Sequence, residues 1–271
     1  MARPRILLTN DDGVNSPGLW AAYDAMSEFA DVTVCAPAVQ QSAAGRSFSV
    51  FDSLRMDKLV IHGHDAYAVS GKPTDALLLG IYALQSKPDL VVSGVNLGEN
   101  LTTESITTSG TVGAALEAAN QGVPAVAFSL EVKNDGDKFS DPRSYMQDFS
   151  AVKEVISTLL PGYLSDGFPK GCDVINVNIP AGEIKGYCVV KLGPKLFDTS
   201  VEKRIDPRGK PYYWICGDQI RSCEKGTDSE ALQSGYVTVT PVTLDNTAYE
   251  SCRETEERLK KAGIQTTSFE F

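Results

Sequence analysis

Histidine is almost missing from this chain. There are two, His62 and His64, both in the segment "IHGHD". A Ser-His-Asp hydrolase needs an imidazole brought to a serine from elsewhere in the fold, so that class is disfavoured. The pair falls where a hairpin tip is expected and reads as a solvated turn rather than a metal site. No two of the six cysteines (Cys35, Cys172, Cys188, Cys216, Cys223, Cys252) have CxxC spacing, which argues against a zinc ribbon or a thioredoxin-type centre. They read as buried thiols, with a Cys216–Cys223 bridge as the minor alternative. GxGxxG, the GxxxxGK[ST] P-loop and the GxSxG elbow are all lacking, which removes the usual dinucleotide, nucleoside-triphosphatase and α/β-hydrolase readings. No apolar run approaches the roughly 18 residues that span a bilayer. The N-terminal "MARPRILLTNDD" has too short an apolar stretch for a signal peptide, so a cytoplasmic location without membrane association is expected. Positive charge is also short. The net charge is −10, a surface that repels nucleic-acid backbones, so no duplex partner is expected. A small anionic substrate remains compatible, because a metal and backbone amides make a pocket locally positive.

What is present is an alternation of strand and helix. "RILLTN", "DVTVCAP", "DLVVSGVN", "VPAVAFSL" and "CDVINVNIP" read as strands. Helices are expected over "PGLWAAYDAMSEFA", Thr74 to Gln85, "TSGTVGAALEAANQG" and about Tyr145 to Leu160. Near-continuous apolar strands alternating with helices imply a mostly parallel sheet covered on both faces. The expected fold class is α/β and Rossmann-like. After Pro180 the pattern turns to period two. "GYCVVKLGP", "DTSVEKRIDPRGKPYYWICG" and "GYVTVTPVT" read as a β-rich stretch with a hairpin tip at "DPRGKP", and a charged amphipathic helix from about Thr247 to Ala262 closes the chain. The expected organisation is a catalytic core over residues 1–182. Residues 183–271 would form a β-hairpin extension and C-terminal helix used in oligomerisation.

Ligands of open α/β sheets lie beyond the carboxyl ends of the strands. Asn10, Asp11 and Asp12 follow the first strand, Gln40, Gln41 and Ser42 the second, and Asn96, Gly98 and Asn100 the "DLVVSG" strand. Ser109, Gly110 and Thr111 open a helix soon after. Two carboxylates with neutral oxygens from Ser42 and Asn96 form a donor set for a hard cation, Mg²⁺ or Mn²⁺. Gly13 allows the turn that brings both carboxylates to one ion. "SGTVG" offers free N–H groups and hydroxyls for a phosphate. Metal beside phosphate pocket suggests phosphate-ester hydrolysis. Taken singly, "DDG" is a turn, "SGT" an N-cap and "NLGEN" another turn; their coincidence at one sheet edge carries the weight. Lys72 faces either the phosphate or solvent.

The blocks "RILLTNDDGVNSPG", "VTVCAPAVQQSAAG", "GKPTDALLLG", "PDLVVSGVNLGENL", "SGTVGAALEAANQGVPAVAFSL", "INVNIP" and "GTDSEALQSGYVTVTPVTLDNT" occur in that order over most of the chain. Together they resemble the SurE family, stationary-phase survival proteins that act as 5′/3′-nucleotidases. The resemblance implies one divalent metal per subunit, held by Asp11, Asp12, Ser42 and Asn96. It implies phosphate contacts from Asn100, Ser109, Gly110 and Thr111, with Asp11, Asp12, Asn96 and Ser109 as the catalytic set. Which aspartate handles a proton stays open. A homodimer or homotetramer built by exchanging C-terminal parts is implied too. Thr108 stands where the family commonly has tyrosine, Lys72 where it has threonine, and Thr102 to Thr107 is atypical. These departures spare the four ligand positions and bear on nucleotide preference. The alternatives are a phosphatase for polyphosphate or a sugar phosphate, and a nucleotide-binding module without turnover.

Overall fold

Ile6, Leu7 and Leu8 are buried on both sides of the strand that contains them, which sets the architecture. The computed structural model describes residues 2–132, 148–220 and 223–267. Strand β1 (Arg5–Thr9) lies between β2 (Asp31–Pro37) and β5 (Leu90–Leu97), parallel to both. β6 (Ala125–Leu130) and β7 (Val174–Ile179) continue the parallel set beyond β5. On the other side, β3 (Met56–Ile61) and β4 (His64–Val69) form an antiparallel hairpin whose β4 runs parallel to β2. Among the described residues the sheet has nine strands in the order β3-β4-β2-β1-β5-β6-β7-β11-β8.

Period-two alternation divides the core between the two faces. Ile6, Leu8, Leu90, Val92, Val126 and Phe128 face α1 (Pro17–Ser27) and α5 (Ser150–Asp166). Leu7, Val91, Ala125 and Ala127 face α2 (Pro73–Tyr82) and α4 (Gly110–Asn120). Proline opens both α1 and α2, where its missing N–H leaves no bond unmade.

The expected α/β class with a mostly parallel, doubly covered sheet holds. Several boundaries move. The helix expected over "TSGTVGAALEAANQG" is α4, which begins at Gly110: Ser109 is extended (φ −67°, ψ 131°) and separates it from a further helix, α3 (Thr102–Thr108). Helix α5 begins at Ser150 and runs past Pro161; the Tyr145 end of the expected helix lies outside the described residues. The short helices α3 and α6 (Asp228–Gln233) were not anticipated, whereas β3 and β4 form the two arms of the hairpin whose tip was expected at "IHGHD". β8 (Tyr187–Val189) and β11 (Val237–Val242) come from residues 183–271 yet complete the main sheet, with β11 antiparallel to β7. That part of the stretch expected as an extension is therefore built into the core, because Val237, Val239 and Val242 are buried against it.

The rest of the C-terminal stretch stands out from the body. β9 (Phe197–Ile205) and β10 (Pro211–Gln219) form a separate two-stranded ribbon, with Trp214, Ile215, Val201 and Tyr213 exposed. Helix α7 (Tyr249–Lys261) buries none of its residues. The Gly63 turn at the β3–β4 tip carries exposed His62 and His64, which rest against the Trp20 and Tyr23 rings. Among the described residues no disulfide forms, so the Cys216–Cys223 alternative is not adopted, but only Cys35 is buried as expected; Cys216 is exposed on the ribbon and the other four are half-buried. No helix of the described residues is long and apolar enough to cross a membrane.

Candidate active site

Strand order reverses at β1, since the chain builds outward through β2 on one side and β5 on the other. The crevice above the β1–β5 boundary is where such sheets receive ligands. Asp11 and Asp12 enter it directly from β1. Asn10 shapes the turn beneath them: its side chain accepts from Gly13 N and donates to Gly13 O, both at 3.1 Å. Gly13 has φ +94°, a conformation that a side chain would strain.

The two carboxylates point to different supports. Asp11 Oδ1 accepts from Thr111 Oγ1 at 2.5 Å, linking β1 to the first turn of α4 across 100 positions of sequence. The N–H groups of Gly110 and Thr111 also help to hold the Asp11 carboxylate. Such closeness requires glycine at 110, where a Cβ would stand 2.8 Å from Asp11 Cβ. Asp12 Oδ2 accepts from the Leu97 N–H at 3.0 Å, and its Oδ1 meets only Gln40 Nε2, at 3.4 Å. Asp11 and Asp12 are 6% and 8% exposed, so each is buried yet reachable from one side.

Burial pushes both carboxyls upward. For Asp12 the burial comes first and the Asp11 charge second, and together they raise it to about 7. Asp11 is raised by burial despite its hydrogen bonds. Among the described residues no lysine, arginine or histidine forms an ion pair with either. Two buried carboxylates without a cationic side chain fit a bound cation, which would offset the charge that burial penalises. Asn96 suits the same role, since its Nδ2 donates to Gly98 O at 2.6 Å and its Oδ1 is left as a donor atom for a cation. Ser42 is exposed, in a loop pinned at both ends. Gln41 N donates to Asp11 O at 2.7 Å and Gly45 N to Thr108 O at 2.9 Å. The described residues hold no group of three or more His, Cys, Asp or Glu side chains able to bind a metal, so the candidate donor set is two carboxylates with neutral oxygens.

The family model for survival protein SurE matches residues 6–199. The chain belongs to the SurE family. The 5′-nucleotidase SurE of Methanocorpusculum labreanum is 61% identical over 259 residues, covering 96% of this chain and 98% of the relative. That of Methanoculleus marisnigri is 58% identical over 252 residues, covering 93% and 96%. Among solved structures, the SurE protein from Aquifex aeolicus aligns with a TM-score of 0.78 at 37% identity, covering 94% of this chain and 99% of that one.

The remaining residues expected from the SurE resemblance are placed as follows. Ser109 is the N-cap of α4, its Oγ accepting from Val112 N at 3.2 Å, so the capping reading holds and its hydroxyl proton stays available. The Thr111 hydroxyl is committed to Asp11, and the Gly110 and Thr111 N–H groups at the helix end are shared with the same carboxylate. Asn100 is turned inward: its Nδ2 donates to Ser129 Oγ at 2.8 Å. Lys72 is the residue before α2 and is half-buried; Pro73 beside it would touch a Cβ at Gly110. Thr108 ends α3, its hydroxyl donating to Glu104 O at 3.0 Å.

Sequence reasoning passed over Asn176, Asn178 and Asp228. Asn176 and Asn178 donate to Asn100 O at 2.8 and 3.1 Å, and Asn178 Oδ1 accepts from Asn100 N at 2.7 Å. The signal was present in "VINVNI", where asparagines alternate with Val and Ile in a fully buried strand. Buried polar side chains of that kind require partners, and these find them in the backbone of a neighbouring loop.

Proposed function

We propose that this SurE-family protein is a metal-dependent nucleotidase that hydrolyses nucleoside 5′-monophosphates, and 3′-monophosphates as well, to nucleoside and phosphate. The observation that carries the reading is the buried Asp11–Asp12 pair, without an ion-pair partner among the described residues, with Asp11 against the N-terminus of α4 at the sheet's switch point. The name 5′-nucleotidase SurE borne by relatives at 61% and 58% identity supports the substrate class. Asp11, Asp12, Ser42 and Asn96 would hold one Mg²⁺ or Mn²⁺, which when bound supplies Lewis-acid stabilisation of phosphoryl charge.

The chain's own groups do the rest. The N–H groups of Gly110 and Thr111 form the positive end of α4 beside which the phosphate sits. Ser109 donates its hydroxyl proton to a phosphoryl oxygen while its lone pair caps Val112 N. Water attacks phosphorus as the ester P–O bond breaks in line. Asp12 accepts the water proton, because its Oδ1 is held only by the long Gln40 contact while Asp11 is tied to Thr111. The leaving alkoxide takes its proton from solvent. Purified protein should release phosphate from a nucleoside 5′-monophosphate with Mn²⁺ or Mg²⁺ and stop on addition of EDTA. Absence of metal-dependent release from every nucleotide tried would sink the reading.

The same reading makes the protein a cytoplasmic homodimer or homotetramer. It is supported by the exposed apolar ribbon β9–β10 and by α7, which buries nothing and borders a cavity of about 840 Å³. Deleting residues after Leu244 removes α7 but keeps β11, so the sheet should remain folded while the oligomer dissociates. Light scattering that gives the full-length mass for the truncated chain would refute this role of the C-terminus.

A further inference from the structure

At Leu97 the chain leaves its pairing with β6 and runs to α3 beside the candidate site. Its backbone polar groups must find partners elsewhere. Leu97 N–H goes to Asp12 Oδ2 and Gly98 N–H to Leu130 O at 2.8 Å. Asn100 N–H and C=O go to the Asn176–Asn178 pair. Thr102 N–H goes to Asp228 Oδ2 at 2.7 Å, across 126 positions of sequence.

This last contact has three unusual features. Thr102 has φ +69°, a left-handed conformation that a β-branched residue avoids. It is fully buried and its hydroxyl has no hydrogen-bond partner, so the side chain contributes no bond that explains the conformation. Asp228 is also fully buried, and among the described residues no cation pairs with it. Its Oδ1 accepts from Gly193 N at 2.9 Å and Ser229 N at 2.8 Å, which leaves Oδ2 for Thr102. A carboxylate that holds N–H donors from Thr102, Gly193 and Ser229, with the Ser229 hydroxyl donating at 3.3 Å, is a clamp, and what it clamps is the strained end of the segment that follows Leu97.

We propose that Asp228 is a positioning residue of the active site. By accepting the Thr102 N–H it locks the 98–101 segment, which continues β5 past Asn96 and Leu97 and so holds the strand end whose Leu97 N–H meets Asp12. The inference rests on the metal-dependent reading above. It also makes a residue of the C-terminal third, distant from the metal donor set in sequence, part of what shapes that donor set.

The test compares wild type with Asp228→Asn, Thr102→Gly and the double variant. Asparagine keeps one acceptor oxygen and turns an NH₂ towards an N–H donor. Mn²⁺ affinity is read without substrate, from the electron paramagnetic resonance of free Mn²⁺, and kcat and KM are read separately with a nucleoside 5′-monophosphate. Asp228→Asn should fold, judged by circular dichroism, yet bind Mn²⁺ about 10-fold more weakly and lose about 10–100-fold in kcat/KM. Thr102→Gly should resemble wild type. The double variant should recover most of the loss, because glycine adopts positive φ without the clamp. Wild-type Mn²⁺ affinity and kinetics in Asp228→Asn, or no recovery in the double variant, would overturn the proposal. Should Asp228→Asn be insoluble, Asp228→Ser is judged by the same criteria, and insolubility of both with or without Thr102→Gly counts against it. A wild-type protein that binds Mn²⁺ but releases no phosphate from nucleotides sinks the nucleotidase reading instead, and the affinity comparison still judges Asp228.

Discussion

Asp11→Asn is expected to lower phosphate release by about 10²–10³-fold or more while the protein stays folded. The substitution preserves shape, and the Thr111 hydroxyl can still donate to the amide oxygen. What it removes is one of two negative charges and the acceptor that takes the Gly110 and Thr111 N–H groups, since the amide NH₂ would face donors. Mn²⁺ affinity should fall in parallel. Circular dichroism and a melting curve establish that folding survives, and a fixed-time phosphate assay reads the activity. A variant that keeps near wild-type turnover would show that the carboxylate pair is not the reactive centre.

Without metal, the protein should become less stable as pH rises from about 4 to about 7. The sign follows from the raised carboxyls. Asp12 titrates near 7 in the folded protein, against 3.8 as its ordinary value, because burial and the Asp11 charge oppose ionisation. Over that interval the folded state binds more protons than the unfolded one, so stability falls as pH climbs and levels off above it. A shift of this size corresponds to a penalty on the order of 4 kcal/mol when Asp12 is fully ionised. Calorimetry in EDTA between pH 5 and pH 8 should therefore give a falling melting temperature. Asp12→Asn should flatten the slope, as should saturating Mn²⁺, since either removes the uncompensated charge. A melting temperature that is constant or rising over this range in EDTA, and indifferent to Asp12→Asn, would contradict the electrostatic account of the site.

These two expectations depend differently on what the chain discloses before folding is considered. The strand ends are local. "RILLTNDDG" marks a buried strand followed by acidic residues and a glycine, and "DLVVSGVN" a strand running into an asparagine turn. A segment's hydrophobic period is written within the segment itself. For the same reason the SurE resemblance could be read from short blocks, and the family match bears it out. Local reading placed the start of α4 at "SGT" but passed over α3, because Thr102 to Thr108 is rich in poor helix formers and its helix depends on the tertiary setting.

Sequence alone determined that Asp11, Asp12 and Ser109 would lie beyond a strand end or at a helix start, because periodicity and turn residues act over a few positions; Asn96, expected past the end of its strand, lies instead within β5, paired with Ser129. Tertiary structure decided which of these ends meet. β5 pairs with β1, and this brings Leu97 N–H to Asp12; α4 packs across β5 and β6, and this brings Thr111 to Asp11. The same non-local pairing carries β11 from beyond residue 182 into the sheet beside β7, and with α6 sets Asp228 under Thr102. Strand order reflects how whole layers bury their faces against one another, a choice made by contacts a hundred residues apart that no window of the sequence contains.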